Sequence, residues 1–299
     1  MDRTLDGKVA VVTGAGGGLG RAEALALAKA GADVVVNDVR ADTGVVEEIE
    51  ELGREAVFVG GDVAERSTAD ELVETAVRRF GDLHVVVNNA GVLRDRMLFN
   101  MSDEEWDAVI AVHLRGHFLL TRNAAAHWRG RAKELGGPVH GRLINTASEA
   151  FLFGAEGQPN YAAAKSGISA LTLAAARGLA RYGVRANTIC PRARTDMTAD
   201  VFGAAPADGM DPLSPEHVAP FAAYLASPAA DAISGQVFVV HGGMVALMSA
   251  PAVEQRFDTS GTTWTVDELD ASVGGYFAER DPRRTFAAAD PVQLSPQDA

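Results

Sequence analysis

The sequence feature that most constrains the fold is a short apolar run that leads directly into a glycine-rich segment. Val9–Thr13 has the β-branched character of a buried strand, and the residues after it read Gly14-Ala15-Gly16-Gly17-Gly18-Leu19-Gly20. Arg21–Ala30 then has the alanine and leucine content of a helix and is followed by Gly31. A strand, a glycine loop and a helix in this order are typical of a phosphate-binding loop, because the backbone can approach a pyrophosphate and the helix N–H groups face it. We therefore expect a nucleotide to contact Gly14, Gly18, Leu19 and Gly20.

Strand-like and helix-like segments alternate along most of the chain. The strand-like segments are 9–13, 33–37, 56–59, 83–87, 141–146, 184–189 and 235–240, and the helix-like ones are 21–30, 45–52, 69–80, 103–132, 161–182 and 215–227. This alternation predicts an α/β fold with a doubly wound parallel sheet. We expect a single Rossmann-type domain over residues 1–243, with a seven-stranded parallel sheet flanked by helices, and a C-terminal extension over 244–299. The extension carries enough apolar residues to pack on the body or on a neighbouring subunit, with its last residues, 287–299, frayed.

Composition excludes several classes of protein. The net charge of −13 disfavours a nucleic-acid or anionic-membrane partner, since both would be repelled. The sequence contains no apolar run of the roughly 18 residues that a transmembrane helix needs. A single cysteine, Cys190, excludes an internal disulfide and a cysteine zinc cluster. We expect a cytoplasmic protein without a metal site.

Acidic residues follow the second and third predicted strands. Asp38 ends the second strand, where a carboxylate can accept both hydroxyls of an adenosine ribose and repel a 2′-phosphate. This favours NAD over NADP, although Arg21 and Arg40 lie close enough in sequence to offset the repulsion. Asp62, followed by Val63, is placed to meet the adenine.

A tyrosine and a lysine stand four residues apart in a predicted helix. At this spacing Tyr161 and Lys165 leave the same face, and an ammonium beside a phenol favours the phenolate, which would lower the tyrosine pKa. The hydroxyl of Ser148 can hold a carbonyl or alcohol oxygen at the same place. The spacing alone is common on ordinary surface helices, and only the nucleotide loop upstream favours a catalytic group.

Together these motifs resemble the classical short-chain dehydrogenases/reductases. The matching residues are Thr13-Gly14-xxx-Gly18-x-Gly20, Asn88-Asn89-Ala90-Gly91, Ser148 and Tyr161-xxx-Lys165. The resemblance implies that Tyr161 is the general acid/base, that Lys165 lowers its pKa and holds the nicotinamide ribose, and that Ser148 orients the substrate oxygen. It also implies cofactor contacts from Asn89, Ala90, Gly91, Ala193, Arg194 and Thr195.

The segments around Gly91–Arg96, Val112–Gly116 and Pro191–Thr198 are more specifically similar to the (R)-3-hydroxyacyl-CoA dehydrogenase part of the peroxisomal multifunctional enzyme type 2 and to its bacterial relatives. Two positions depart from the family pattern. His113 stands where an asparagine usually anchors a water in the proton relay to the lysine; it either joins that relay or simply packs at a helix bend. Arg192 replaces the usual glycine after Pro191.

The resemblance therefore predicts an NAD-dependent oxidoreductase for a small secondary alcohol or ketone, either a (3R)-hydroxyacyl-CoA or a hydroxysteroid. Phe151, Leu152, Phe153 and Met197 either line an apolar substrate pocket or belong to the core, and Arg94, Arg96, Arg192 and Arg194 either bind coenzyme A phosphates or are ordinary surface arginines. The alternative function is a catalytically idle NAD-binding protein. The family resemblance implies a homodimer or homotetramer.

Overall fold

The computed structural model describes residues 4–41, 43–198, 202–207 and 209–288. Within these residues one sheet of eight strands forms the centre of the molecule. The strands are β1 Val9–Thr13, β2 Asp33–Asp38, β3 Ala56–Gly60, β4 Val85–Asn88, β5 Gly141–Thr146, β6 Val184–Pro191, β7 Val237–His241 and β8 Met244–Leu247. Their spatial order is β3-β2-β1-β4-β5-β6-β7-β8, and every pair is parallel except β7 with β8.

The helices cover both faces of this sheet. They are α1 Gly18–Lys29, α2 Val45–Glu51, α3 Arg66–Phe80, α4 Asp103–Ile110, α5 Gly116–Leu135, α6 Ala150–Phe153, α7 Pro159–Leu179, α8 Ala219–Ala226, α9 Val266–Leu269 and α10 Gly275–Ala278. A π-helical segment, Ala111–Arg115, joins α4 to α5, so the predicted long helix is one helical run with a local widening. The start of this run is capped, since Ser102 and Glu105 form a reciprocal capping box.

Strand β1 shows why the sheet is covered on both sides. Its side chains alternate between faces, and all of them are buried. Ala10 and Val12 join the cluster that includes Leu27 of α1, whereas Val9 and Val11 join the cluster that includes Leu72 of α3. A strand whose residues are all buried, with apolar side chains on both faces, therefore fits the middle of a two-sided sheet.

The strand order places a crevice at the carboxyl ends of the central strands. β1 lies between β2 and β4, so the chain connections run in opposite directions on its two sides. In open α/β sheets a ligand crevice forms at this switch point, beyond the carboxyl ends of the strands. The loops after β1, β2, β4, β5 and β6 all lie on this side, beyond the carboxyl ends of the strands.

The predicted seven-stranded sheet is wrong by one strand. Gly242 has a φ of +51°, a left-handed conformation that lets the chain reverse after β7, and β8 then returns antiparallel along it. Met244 and Ala246 pack on the cluster of Ala147, Cys190 and Val239, which is why this short segment pairs with the sheet. The predicted boundary after Gly243 consequently falls directly before a strand of the central sheet.

The rest of the C-terminal extension is organised around one carboxylate. Glu254 accepts hydrogen bonds from the Tyr276 hydroxyl at 3.0 Å and from Arg280 at 2.9 Å, and it also pairs with Arg284 at 2.8 Å. The Ala288 N–H donates to the Leu152 carbonyl at 2.8 Å, beside α6. Residues 289–299, most of the stretch predicted to fray, lie outside the described residues. None of the helices that the structure describes has the length and apolar character needed to span a bilayer.

Candidate active site

The glycine loop after β1 forms the floor of a cleft of about 540 Å³. Gly14 has a φ of +63°, and a Cβ there would lie 2.8 Å from Cα of Ala90, so a side chain is excluded by both conformation and space. Gly20 packs α1 on this loop, because a Cβ would lie 2.3 Å from the Gly14 carbonyl oxygen. Helix α1 begins at Gly18 and directs its first N–H groups, which have no acceptor within the helix, towards the loop. These residues can hold a pyrophosphate.

Thr13 and Asn89 join the loop after β1 to the loop after β4. The Thr13 hydroxyl oxygen accepts from the N–H groups of Asn89 at 3.0 Å and Ala90 at 3.2 Å. The Asn89 amide donates back to the carbonyls of Thr13 at 3.1 Å and Gly14 at 3.3 Å. The predicted Asn89 and Ala90 positions are thereby fixed against the nucleotide loop, and Thr13 supplies half of that connection.

Asp38 lies at the rim of the glycine loop with its carboxylate buried. Oδ2 accepts from the Gly16 N–H at 3.0 Å, and Oδ1 accepts from Arg40 Nε at 3.2 Å and from the Arg40 N–H at 3.0 Å. Burial acts to raise the Asp38 pKa, but the hydrogen bonds from Arg40 and Gly16 together lower it below its usual value. Asp38 is therefore an anion at neutral pH and can accept further hydrogen bonds from hydroxyl groups. Asp62 also lines the cleft, where its Oδ1 accepts from the Ala64 N–H at 2.9 Å.

Tyr161 and Lys165 lie on the first turns of α7, on the other side of the same cleft. The Lys165 ammonium donates to the Thr146 carbonyl at 2.5 Å and lies 5.3 Å from the centre of the Tyr161 ring. Burial lowers the pKa of Lys165 to about 7. Burial raises the pKa of Tyr161 to about 12, although a side-chain hydrogen bond with Ser148 acts in the opposite direction.

The predicted lowering of the Tyr161 pKa is wrong for this arrangement. The Lys165 ammonium lies over the ring face and donates to the Thr146 carbonyl, and burial disfavours its charged form. It therefore does not lower the pKa of the phenol, which burial raises. At neutral pH the tyrosine is consequently a phenol, and the lysine is close to half-protonated. The pair still has complementary roles, because the phenol can give a proton and the amine can take one.

His113 lies in the π-helical segment with its ring between the nucleotide loop and the tyrosine. Its Nε2 is 2.8 Å from the Val92 carbonyl oxygen, and its ring meets that of Tyr161 edge to face at 5.1 Å between centres. Burial, with a contribution from Lys165, holds the His113 pKa well below its usual value, so the ring is neutral. Nδ1 is buried and has no partner among the described residues. A Cβ at Gly91 would lie 2.4 Å from Cε1 of His113, so the ring fits only because residue 91 is glycine.

The arginines predicted to meet phosphates are mostly paired with carboxylates. Arg96 pairs with Glu105 at 2.8 Å, Arg192 with Glu149 at 2.6 Å and Arg194 with Asp211 at 2.8 Å. The Arg194 guanidinium also bonds to carbonyls of the loop after β6, at Phe202 and Gly203. Arg94 donates to the neighbouring Leu93 carbonyl, at 2.7 Å, and forms no ion pair among the residues with described positions.

The apolar candidates divide between the cleft and the core. Met197 lines the cleft, whereas Phe151 and Leu152 pack against the cluster of Ala147, Cys190 and Val239. Phe153 is partly exposed at the end of α6.

Most of the predicted site residues face one cleft. Of the predicted set, the cleft is lined by Gly14, Gly18, Leu19, Asp38, Asp62, Val63, Asn89, Ala90, Gly91, His113, Tyr161, Lys165, Ala193 and Thr195. Gly20 lies beneath the loop, Ser148 lies behind the cleft against Tyr161, and the Arg194 side chain is turned to Asp211. Sequence reasoning missed further lining residues, among them Gly17, Asn37, Gly61, Val92, Val112, Thr146, Ala147, Asp196 and Thr198. Their signal was position alone, since each lies at or just beyond the end of a strand or in the widened helical turn.

Comparison with known proteins now identifies the family. The model of the short chain dehydrogenase family matches residues 8–205. The chain belongs to this family. It is therefore an oxidoreductase, with the Rossmann fold and nicotinamide cofactor chemistry that members of the family share.

Three relatives illustrate the similarity. Hydroxyacyl-CoA dehydrogenase ChsB1 of Mycobacterium tuberculosis is 62% identical over 297 residues, covering 96% of this chain and 93% of that protein. Peroxisomal multifunctional enzyme type 2 of Mus musculus is 41% identical over 251 residues, covering 80% of this chain and 32% of that much longer protein. A solved short chain dehydrogenase from Mycobacterium avium superposes with a TM-score of 0.83 at 45% identity, covering 93% of this chain and 97% of that one.

Proposed function

We propose that the protein is an NAD-dependent dehydrogenase/ketoreductase whose substrate is a (3R)-hydroxyacyl-CoA. The observation that carries the proposal is the juxtaposition of a partly buried phenol, a buried amine with a pKa near 7 and a serine hydroxyl beside the cleft that the glycine loop lines. The hydroxyacyl-CoA chemistry is supported by the relative at 62% identity, which is named a hydroxyacyl-CoA dehydrogenase and matches this chain over nearly its whole length. The hydroxysteroid remains the second substrate to test.

The residues of the cleft fit a dinucleotide. Gly14 has no room for a side chain, the free N–H groups of α1 face the loop, and the Asp38 carboxylate stands where ribose hydroxyls would be held. NAD supplies the hydride acceptor when it is bound. Arg21 is paired with Glu48 and Arg40 with Asp38, so both arginines that could attract a 2′-phosphate are engaged by carboxylates. This pairing supports NAD over NADP.

The protein's own part in the reaction is to hold the alcohol and to move its proton. Ser148 orients the substrate oxygen beside the Tyr161 hydroxyl, with which it shares a hydrogen bond. For oxidation of the alcohol, Tyr161 Oη takes the hydroxyl proton of the substrate and must give its own phenolic proton to another group. Lys165 Nζ is the nearby group able to receive it, because its pKa is about 7. For reduction of a ketone, the phenol gives its proton directly.

His113 is proposed to stabilise this proton transfer as a neutral neighbour of the tyrosine. The edge of the ring meets the Tyr161 ring, and a buried Nδ1 without a partner among the described atoms is available to a water molecule. A charged imidazolium there would oppose protonation of Lys165. Because the low pKa of His113 keeps its ring neutral, Lys165 can still accept a proton.

We further propose a homodimer or homotetramer in the cytoplasm, formed through the two long helices. Phe118 of α5 and Leu173 of α7 each expose 43% of their surface and are apolar side chains that such an interface would cover. Cys190 is buried and free, as suits a reducing compartment. Light scattering of the purified protein measures the oligomeric state directly.

The test of function is a substrate panel. The protein is mixed with NAD and, separately, with (3R)- and (3S)-hydroxyacyl-CoAs and with 3- and 17-hydroxysteroids, and NADH absorbance is followed. Turnover of (3R)-hydroxyacyl-CoA above all others is the expected result. Preferential turnover of a steroid reassigns the substrate, and tight NAD binding without any turnover indicates the catalytically idle alternative.

A further inference from the structure

A buried ion-pair network joins the carboxyl ends of three neighbouring strands beside the candidate active site. Arg192, directly after β6, grips Glu149 with two parallel hydrogen bonds, Nε to Oε2 at 2.6 Å and Nη2 to Oε1 at 2.8 Å. Its Nη1 lies 3.0 Å from Nε2 of His241, the last residue of β7. The Arg192 and Glu149 side chains are only 16% and 10% exposed. A two-pronged pair of this kind is the most geometrically restrictive that arginine forms.

The network connects the two segments that must be aligned for hydride and proton transfer. Glu149 directly follows Ser148, whose hydroxyl oxygen accepts from the Ala150 N–H at 3.2 Å. Arg192 directly precedes Ala193–Thr195, the segment predicted to meet the nicotinamide, and its own N–H donates to the Val240 carbonyl at 3.0 Å. One guanidinium thus fixes the serine loop after β5 relative to the cofactor loop after β6.

The three side chains do not themselves line the cleft. Pro191 and Ala193, on either side of Arg192, both face it, whereas the guanidinium is directed towards Glu149 and away from the reacting groups. The network can therefore act only through the residues next to it. Because the pair is nearly buried, removing the arginine alone would leave an uncompensated carboxylate, and the serine loop would have to move to solvate it.

We propose that Glu149, Arg192 and His241 form a positioning unit that fixes Ser148 relative to the nicotinamide-contacting segment Ala193–Thr195. This inference deepens the proposed function and rests on it. Arg192, which stands where the family usually has a glycine, thereby positions the active-site loops and does not bind the phosphates of coenzyme A.

The test compares Arg192→Met with a matched control, Arg54→Met. Arg54 forms a similarly sheltered pair with Asp33, 2.9 Å apart and with side chains 17% and 21% exposed, but at the opposite edge of the sheet. Turnover is divided by the number of nucleotide sites found by NADH titration, so that unfolded protein is not counted. We expect Arg192→Met to lower kcat per site by about 10- to 100-fold, the cost of a displacement of roughly 1 Å among reacting groups, with the nucleotide dissociation constant unchanged. Arg54→Met should leave kcat per site unchanged.

A second measurement does not depend on activity. Hydrogen–deuterium exchange of peptides covering 147–153 should accelerate in Arg192→Met and remain as in the wild type in Arg54→Met. The double variant Glu149→Gln/Arg192→Met, which removes both charges, should restore part of the lost turnover and protection. Arg192→Lys, which keeps the charge but not the two-pronged geometry, should fall between the wild type and Arg192→Met.

Two results would overturn the positioning unit: exchange over 147–153 that does not respond to Arg192→Met, or unchanged kcat per site in that variant of an active enzyme. If the wild type turns over no thioester or steroid while the exchange responds as expected, the proposed function fails and the positioning unit stands.

Discussion

Replacing Lys165 by methionine should make the nucleotide-free protein more stable while abolishing its turnover. The ammonium is buried with a single hydrogen bond among the described residues, to the Thr146 carbonyl, and burial lowers its pKa from 10.5 to about 7. A pKa difference of roughly 3.5 corresponds to about 5 kcal/mol of penalty on the charged form, at 1.36 kcal/mol for each unit. Methionine has a chain of similar length without the charge, so Lys165→Met relieves that penalty and leaves the volume filled.

The sign of the effect with pH provides an internal check. The folded pKa of Lys165 lies below the unfolded value, so the penalty is fully present below about pH 7 and disappears as the pH rises towards 10.5. The gain from Lys165→Met should therefore be largest at pH 6 to 7 and should shrink steadily towards pH 10. Relaxation of the site will reduce the full penalty, so we expect a gain of about 2 kcal/mol at pH 7, or an increase in Tm of about 3 °C for a chain of this size.

The assay is thermal unfolding without nucleotide, at several pH values, together with NADH formation at pH 7. Lys29→Met, at the exposed end of α1, is the matched control and should change stability by less than about 1 kcal/mol with no pH trend. A Tm for Lys165→Met that is lower than that of the wild type across the whole pH range would refute the reasoning. It would mean that the lysine stabilises the fold and that its charge is well compensated.

Three further predictions concern two of the remaining site residues and a histidine at the amino end of β4. Tyr161→Phe should lower kcat by about 10²- to 10⁴-fold, the contribution of a positioned acid/base, while NADH titration still shows binding; retained turnover would exclude the tyrosine from proton transfer. Asp38→Ala should raise the NADP:NAD ratio of kcat/KM by at least about 10-fold, since hydrogen bonds to a charged carboxylate are lost only for NAD, and an unchanged ratio would contradict the ribose assignment. Burial, followed by the charge of Lys8, lowers the pKa of His84 to about 4. The neutral imidazole therefore stabilises the fold fully above the usual pKa near 6.5, and this contribution is lost as the pH falls towards 4. The Tm of the wild type should drop between pH 7 and pH 5, and the Tm of His84→Gln should drop less over the same range.

Sequence reasoning was reliable where local pattern and tertiary packing agree. Val9–Thr13 and Gly141–Thr146 have the same bounds in the structure as in the prediction, and every residue of both strands is buried, as in a central parallel strand. The start of α1 was predicted at Arg21, three residues late. Gly18 and Gly20 are poor helix formers, so their own propensity does not mark them as the start of a helix; Gly18 has a φ of +51°, and Gly20 packs against the Gly14 carbonyl.

Other features depend on contacts that no local pattern reveals. The eighth strand follows two glycines and is short, so nothing in its own sequence distinguishes it from a loop; the cluster around Val239 and Cys190 gives it a place. Arg192 and Glu149 are far apart in sequence, and a prediction from composition could equally assign the arginine to a phosphate. The direction of the Tyr161 pKa was wrong for the same reason, since spacing places the lysine near the ring but does not say which part of the ring it meets.

The widened turn at Ala111–Arg115 and the glycine at position 91 are best understood as one feature. The π-helical turn brings the His113 ring into the cleft, and only a glycine at 91 leaves space for it. In the cleft the ring lies near Lys165, whose pKa burial lowers to about 7. Burial and the charge of that lysine both lower the pKa of His113, so the imidazole is neutral. The neutral histidine and the lysine with a pKa near 7 therefore lie beside a phenol whose pKa burial raises to about 12. Lys165 can accept a proton leaving Tyr161 only when its own amine is unprotonated, which ties the rate of alcohol oxidation to the titration of the lysine, and burial sets the pKa of that lysine.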